Sequence, residues 1–315
     1  MVGVERLAGG SKKGVYRLAF DDGATAVGYV WAEAENYWPA QQREATESDS
    51  NPFADASGAG LFQDGHALLE ALGVRTPRIY VVDRSQTAYP ADIALVQDVR
   101  GGTLETQLER DLPGTREAMT RLRASLQAMH QHRSPCIGKI GVASAASAGS
   151  AGSSSEAGSS SSCEQIVLDR ALGDLAEAST RVARIAAAQG QLENSTRELA
   201  AAVRPRAQYR LIHGELGPDH VLIDDQGHPV LIDIEGLMFF DVEWEHAFLQ
   251  LRFGNHYPQL HTSGLDDQRL RFYGLALHLS LIAGPLRLLD GDFPDREPML
   301  KIAEFNTDKA LAYLR

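Results

Sequence analysis

The chain has 315 residues, of which 43% are apolar and 23% are charged, as is ordinary for a soluble globular protein. A formal net charge of −12 argues against a nucleic-acid coat protein or a protein that binds anionic membranes. Two cysteines are too few for a disulfide framework or a Cys-rich zinc site. We see neither a secretory signal nor an apolar run long enough to cross a membrane, and we expect a cytoplasmic protein.

The first hundred residues predict a strand-rich region with one helix. The predicted strands are residues 15–20, 25–31, 78–83 and 93–99, and the predicted helix is residues 62–72. Asp21-Asp22-Gly23 is typical of a hairpin turn, because glycine accepts positive φ. Gly73 stands where a helix C-cap is expected.

The region from Thr115 onward is mainly helical in its pattern, and residues 165–203 form a long predicted helical stretch. Residues 211–234 interrupt this pattern with two apolar runs, at 221–223 and 230–232, that flank a polar turn. This arrangement predicts a small β-hairpin inside a helical domain.

One segment differs from the rest in composition. Residues 143–162 contain only Ala, Ser, Gly and Glu156, and such a run cannot bury enough apolar surface to offset the entropy of ordering it. We predict a flexible loop here. Cys136 and Cys163 flank the loop, and two unrelated thiols are favoured over a disulfide in a reducing compartment.

The densest group of polar residues surrounds the predicted hairpin. Glu215 and His220 precede its first strand, and Asp233 follows its second strand. Folding the hairpin back brings the three side chains together at one end. A carboxylate, an imidazole and a second carboxylate in this arrangement can act as a base and two metal ligands.

The segment from His213 to His220, His-Gly-Glu-Leu-Gly-Pro-Asp-His, followed by Asp233, resembles the catalytic region of aminoglycoside phosphotransferases and related small-molecule kinases. The usual pattern of that family is His-Gly-Asp, then an Asn five residues on, then a metal-binding Asp after the second strand. Glu215 takes the place of the catalytic Asp, His220 that of the Asn, and Asp233 that of the metal-binding Asp. The resemblance implies that His213 braces the catalytic loop.

The resemblance covers most of the chain and implies further site residues. These are Gly9, Gly10, Ser11, Lys12 and Lys13 in a Gly-rich loop over the phosphates, Gln97 and Val99 at the hinge beside adenine, and Glu235, Asp241 and Glu245 beside the acceptor. For residues 241–245 taken by themselves, the pattern favours an acidic helix N-terminus with Trp244 buried over a place beside the acceptor.

The implied fold is α+β, a two-lobed protein-kinase-like fold. Its strand-rich N-lobe would span residues 1–99, and its mainly helical C-lobe, residues 100–315, would hold the catalytic segment 211–236. The implied function is transfer of the γ-phosphate of ATP or GTP, with Mg²⁺ or Mn²⁺, to a hydroxyl of a small polar molecule such as an antibiotic or another natural product. The net charge of −12 is compatible with a cationic acceptor.

Three departures from the family pattern bear on the chemistry. Glu215 adds one methylene, which moves the carboxylate by about 1 Å. His220 replaces an oxygen ligand by nitrogen, which favours Mn²⁺ over Mg²⁺, or else it forms a hydrogen bond to Glu215. The segment 25–31 lacks the lysine that kinases carry on their third strand, leaving Lys12 or Lys13 as its replacement.

The helix partner of that lysine is not evident, and Asp64 and His66 are the nearest candidates. Two alternative functions follow from the departures: a pseudokinase-type nucleotide-binding or regulatory module without turnover, and transfer of a nucleotidyl group on the same scaffold. We favour the phosphotransferase, because the matched positions keep acidic and ligand-capable side chains.

Overall fold

The N-terminal part of the chain forms a five-stranded antiparallel sheet with a helix packed against it. The fold is taken from a computed structural model, which describes residues 1–7, 10–39, 52–53, 56–140 and 162–314. The elements are β1 (Gly3–Arg6), β2 (Gly14–Ala19), β3 (Thr25–Trp31), α1 (Ala59–Ala71), β4 (Ile79–Asp83) and β5 (Asp92–Gln97), with strand order β1-β2-β3-β5-β4. The predicted hairpin turn and C-cap are confirmed, with φ of 81° at Gly23 and 73° at Gly73. The pattern missed β1, whose four residues are all exposed.

The C-terminal part is mainly helical. Its helices are α2 (Leu104–Arg110), α3 (Thr115–Gln131), α4 (Cys163–Arg181), α5 (Ala183–Ala201), α6 (Val242–Phe253), α7 (Asp267–Leu288) and α8 (Arg296–Ala312). The single helical stretch predicted over 165–203 is two helices, because Val182 is extended, with φ −122° and ψ 107°. This break lets α4 and α5 pack on each other and on α7.

Two small sheets organise the middle of this region. Their strands are β6 (Arg133–Ser134), β7 (Gly138–Lys139), β8 (Tyr209–Ile212), β9 (Val221–Ile223), β10 (Pro229–Leu231) and β11 (Met238–Phe240). The predicted hairpin is confirmed as the antiparallel pair β9–β10. The sheet β6-β8-β11-β7 was not predicted, because its strands have two to four residues. It pairs β8, which leads into His213, with β11, which follows Asp233.

The two parts of the chain join at Gly101-Gly102, which lies against the hairpin. A Cβ atom at Gly101 would lie 2.1 Å from the carbonyl oxygen of Ile223, so no larger residue fits this approach. The Ile223 N–H donates to the Gly102 carbonyl at 2.9 Å. The joint between the sheet and the helical region is therefore anchored to the strand that carries the candidate site.

The predicted flexible loop, residues 143–162, lies outside the described residues except for Ser162, whose side chain caps α4. Cys136 and Cys163 are both free thiols. Within the described part of the chain, no helix combines the length and the apolar content needed to cross a membrane.

Candidate active site

The loop that follows β8 is tied to the end of β10 by a buried histidine. His213 is 1% exposed, and its Nε2–H donates to the Ile232 carbonyl oxygen at 3.0 Å. Burial lowers the pKa of His213, so its imidazole is neutral near pH 7. This geometry suits the bracing role that the resemblance implied.

The first turn of α6 binds the backbone of the same loop from its buried side. Glu245 Oε2 accepts hydrogen bonds from the backbone N–H groups of His213, at 2.5 Å, and Gly214, at 3.2 Å. The Trp244 Nε1–H donates to the Gly214 carbonyl at 3.2 Å. A buried helix terminus thus sets the backbone that presents Glu215, the next residue, to solvent.

Glu215 and His220 stand at the open end of the hairpin. Within the described part of the chain, no hydrogen bond engages the exposed carboxylate of Glu215. His220 does bond to this residue, but to its backbone: Nδ1 lies 2.9 Å from the Glu215 carbonyl oxygen. Because a carbonyl only accepts, Nδ1 carries a proton, and Nε2 points toward Asp219, whose Oδ2 lies 3.8 Å away. In the tautomer that carries its only proton on Nδ1, Nε2 can bind a metal ion.

Asp233 follows β10 and faces the same opening. Its backbone is left-handed, with φ 60° and ψ 44°, a conformation uncommon for residues other than glycine. Its side chain is 49% exposed, and the positive charge of Lys13 holds the pKa of the carboxyl well below its usual range. Asp233 is therefore an ionised carboxylate that solvent can reach.

Lys13 brings the N-terminal sheet into contact with this carboxylate. Its Nζ lies 2.9 Å from Asp233 Oδ1 and 2.5 Å from Glu235 Oε1, and 5.1 Å from the centre of the Tyr29 ring. Burial lowers the pKa of Lys13, but Asp233 and Glu235 outweigh it and raise the pKa well above its usual value. Lys12 instead extends over the ring of Trp38, so Lys13 is the lysine at the site.

The partner of Lys13 does not come from α1. The facing part of α1 supplies Phe62, whose ring packs against Tyr29 and Trp31 at centroid distances of 5.5 and 5.6 Å. Glu235 is therefore the partner of Lys13, a role that was expected of Asp64 or His66. The sequence interval of 222 residues between Lys13 and Glu235 hides this pair from any local pattern.

The three acidic residues predicted to face the acceptor are all buried, so the structure does not support that assignment. Glu235 pairs with Lys13, and Glu245 holds the backbone of the loop that follows β8. Asp241 accepts hydrogen bonds from Arg269 and from the hydroxyl of Tyr273. The other interpretation of residues 241–245, a helix N-terminus with Trp244 buried, is confirmed.

Two other acidic residues lie near the opening and were missed. Asp219 forms an ion pair with Arg252 at 2.7 Å, in the turn between Glu215 and His220. Burial and the nearby Asp219 raise the pKa of Glu105, on α2. No sequence signal marked Glu105, because α2 reaches the hairpin only through tertiary packing.

The predicted phosphate loop lies between β1 and β2. Gly9 is outside the described residues, and Gly10 has a positive φ of 81°. Ser11 is held by the segment after β3: its Oγ accepts from Trp38 Nε1 at 2.9 Å, and its carbonyl accepts from the Tyr37 N–H at 2.9 Å. Gln97 ends β5, and Val99 is buried just beyond it, at the start of the connection between the two parts of the chain.

The donor set suits a divalent metal ion that also binds phosphate. No cluster of three or more His, Cys, Asp and Glu side chains in the described residues is arranged to hold a metal by itself. A kinase magnesium ion is commonly held by one or two protein ligands and completed by phosphates and water. The ionised Asp233 carboxylate and the imidazole Nε2 of His220 fit that requirement.

We expect Gly65→Ala to destabilise the protein, although alanine usually stabilises a helix by up to about 1 kcal/mol. A Cβ at Gly65 would lie 2.9 Å from the Ile234 carbonyl oxygen and 3.2 Å from Leu237, so α1 would have to move away from the segment after Asp233. Overpacking of this kind costs roughly 1–3 kcal/mol. Urea unfolding measures it, with Gly173→Ala on α4 as the control, since nothing lies within 4 Å of that position. Equal stabilisation by both substitutions would contradict the close packing.

Glu245 should make stability depend on pH. Burial raises its pKa to about 7, from an ordinary value near 4.5. The folded state therefore holds this proton more tightly, and the stability it confers is complete below pH 4.5 and is lost as the pH rises through 7. Relative to Glu245→Gln, the wild type should lose on the order of 3 kcal/mol across that interval.

Chemical unfolding of both proteins at several pH values tests this expectation. Glu198→Gln, at an exposed position of α5, is the control and should run parallel to the wild type. If the difference between the wild type and Glu245→Gln stays constant from pH 4.5 to 7.5, Glu245 does not titrate as expected.

A sequence model described as the phosphotransferase enzyme family matches residues 62–284. No curated protein matches the sequence significantly.

Solved structures with a similar fold include small-molecule kinases. A thermostable mutant of aminoglycoside phosphotransferase APH(4)-Ia in its apo form is 16% identical, with a TM-score of 0.62 over 99% of this chain and 94% of that chain. Spectinomycin phosphotransferase APH(9)-Ia, in complex with ADP and spectinomycin, is 13% identical, with a TM-score of 0.61 over 98% and 92%. Choline kinase LicA from Streptococcus pneumoniae is 14% identical, with a TM-score of 0.59 over 99% and 93%. The predicted two-lobed, protein-kinase-like fold is confirmed by these likenesses.

Proposed function

Because this chain belongs to the phosphotransferase enzyme family of small-molecule kinases, we propose that it transfers the γ-phosphate of ATP or GTP to a hydroxyl group of a small polar molecule. The observation that carries the proposal is the ion pair that Lys13, from the N-terminal sheet, forms with Asp233. His220 is close enough to Asp233 to lower the pKa of its carboxyl, and it is bonded to the backbone of Glu215. Phosphoryl transfer needs mainly such positioning and charge neutralisation.

The proposed boundary between the N-terminal and C-terminal parts of the chain lies between residues 99 and 100. The nucleotide would lie between these two parts. Adenine would lie against the hinge at Gln97 and Val99. The phosphates would lie beneath the backbone of Gly10 to Lys13, and the Lys13 ammonium group would neutralise part of their charge. Glu235 supports this role because it orients the lysine from the side away from solvent.

Asp233 and His220 would hold a divalent metal ion, which supplies neutralisation of the phosphate charge when it is bound. The imidazole nitrogen of His220 supports Mn²⁺ as a better fit than Mg²⁺, which prefers oxygen ligands. His213 and Glu245 keep the loop in place from its buried side.

Glu215 would orient the acceptor hydroxyl and accept its proton as the new oxygen–phosphorus bond forms and the bond from the γ-phosphorus to the β–γ bridging oxygen breaks, which releases ADP or GDP. Its carboxylate is exposed, as a group that must meet a substrate has to be. Asp219 and Glu105 replace the buried residues Asp241 and Glu245 as the proposed acidic edge of the acceptor site. Such an edge suits a polar acceptor that carries positive charge, including an antibiotic or another natural product.

The test is a calorimetric titration of the full chain with ATP in the presence of Mg²⁺, Mn²⁺ or EDTA. We expect binding with either metal, tighter with Mn²⁺, and a clear loss with EDTA. Binding should then justify a screen of hydroxyl-bearing acceptors, in which mass spectrometry detects the added phosphoryl group. A product carrying a nucleotidyl group would instead support the alternative transfer on this scaffold.

Metal-independent nucleotide binding without turnover on any acceptor would favour the second candidate, a pseudokinase-type binding module. The observation in its favour is that Lys13 binds the proposed metal ligand directly.

A further inference from the structure

We propose that Lys13 occupies the metal-binding carboxylate in the free protein and leaves it for the phosphates when a nucleotide binds. The protein would then bind metal and nucleotide together, and metal alone only weakly. The inference rests on the proposed function, because it takes Asp233 as a metal ligand and Lys13 as a phosphate ligand. It adds that Lys13 keeps Asp233 from binding the metal until Lys13 itself binds the phosphates.

The ammonium group of Lys13 is enclosed on three sides. Asp233 Oδ1 lies at 2.9 Å, Glu235 Oε1 at 2.5 Å, and the ring of Tyr29 at 5.1 Å from its centre. An ammonium group has three N–H donors, and two of them are directed at these carboxylates. The lysine side chain is only 10% exposed, so solvent screens its charge little.

The two carboxylates that bind Lys13 differ in exposure. The side chain of Glu235 is 4% exposed, whereas that of Asp233 is 49% exposed and faces the opening beside His220. Glu235 is therefore the lasting partner of the lysine, and Asp233 is the partner that an incoming group can replace. A phosphate oxygen on the open side can take over the place of Asp233 on the ammonium group.

Charge makes the exchange cooperative. A divalent cation bound to Asp233 while Lys13 is still in contact would place like charges within a few ångströms of each other, which disfavours the metal. A nucleotide attracts Lys13 to its own negative charges and leaves Asp233 free. Each ligand therefore favours the other, and linkage makes that effect reciprocal.

The position of the lysine partner makes this coupling direct. Glu235 is two residues from Asp233, and α1 offers the aromatic Phe62 rather than a carboxylate. The lysine is thus held on the same short segment as the metal ligand.

The experiment measures Mn²⁺ binding to the full chain without nucleotide, by the electron paramagnetic resonance signal of free Mn²⁺. Lys13→Met should bind Mn²⁺ at least about tenfold more tightly than the wild type, the change expected when one neighbouring charge worth a pKa unit is removed. Lys13→Arg, which keeps the charge, and Lys301→Met, at an exposed lysine of α8, should match the wild type. Lys13→Gln is a second neutral variant should Lys13→Met fail to fold.

A double variant distinguishes Mn²⁺ binding at Asp233 from weak Mn²⁺ binding elsewhere on this acidic protein. The gain in Lys13→Met should disappear when Asp233→Asn is added, because both changes then act on one ion pair. Unchanged Mn²⁺ affinity in both neutral variants, or an equal gain in Lys13→Arg, would overturn the proposal.

A parallel titration with ATP and Mn²⁺ separates this inference from the proposed function. There Lys13→Met should bind ATP about tenfold more weakly or worse, since the lysine no longer meets the phosphates. A wild type that binds neither ATP nor GTP would refute the proposed function, while the nucleotide-free comparison would still report the competition for Asp233.

Discussion

Replacing Asp233 with asparagine should reduce turnover by roughly 10³-fold or more. The metal ion of a phosphotransferase supplies several kcal/mol of charge stabilisation in the transition state, and each 1.4 kcal/mol is a factor of ten in rate. Asparagine keeps the shape of the side chain but removes the charge that the metal and Lys13 both need. Steady-state kinetics with an accepted substrate measures the loss of turnover. Calorimetry measures the accompanying loss of ATP affinity.

The control for this substitution is Asp225→Asn, at the exposed turn between β9 and β10. It removes a charge from the same hairpin without touching Lys13 or His220, and it should leave turnover within about twofold, since surface substitutions rarely change a fold. If Asp233→Asn turns over as fast as Asp225→Asn, Asp233 is not a working metal ligand.

Replacing Glu215 with glutamine should slow turnover by roughly 10²–10⁴-fold, the range that a positioned general base contributes. The turnover of Glu215→Asp should lie between those of the wild type and Glu215→Gln. This variant keeps the base but shortens its reach by about 1 Å, which costs up to about 100-fold. ATP affinity should change little in both variants, because the side chain of Glu215 is not part of the Lys13 ion pairs.

Glu109→Gln, at an exposed position on the nearby helix α2, is the matched control. Full activity in Glu215→Gln would remove Glu215 from the mechanism. An Asp variant faster than the wild type would show that the extra methylene of Glu215 hinders this reaction.

Local patterns were sufficient for much of the architecture. The β2–β3 hairpin, α1, β4, β5 and the β9–β10 hairpin all lie where the sequence predicts them. Each depends on alternation, helical spacing or a glycine turn within a few residues. The patterns were insufficient for the very short strands of the sheet β6-β8-β11-β7, and for the break at Val182, which tertiary packing decides.

The candidate site divides in the same way. The sequence by itself determined the positions of Glu215, His220 and Asp233 around one hairpin, because a turn of fixed length brings its two ends together.

Only the tertiary structure decided that Lys13 rather than Lys12 reaches Asp233, and that Glu235 is its partner. It also decided that Asp241 and Glu245 are buried, whereas Glu105 lies near the opening. The physical reason is that a carboxylate next to an apolar run gives the same local sequence pattern whether it is exposed to water or buried in the protein. Its role follows from burial and from ion-pair partners that are distant along the chain.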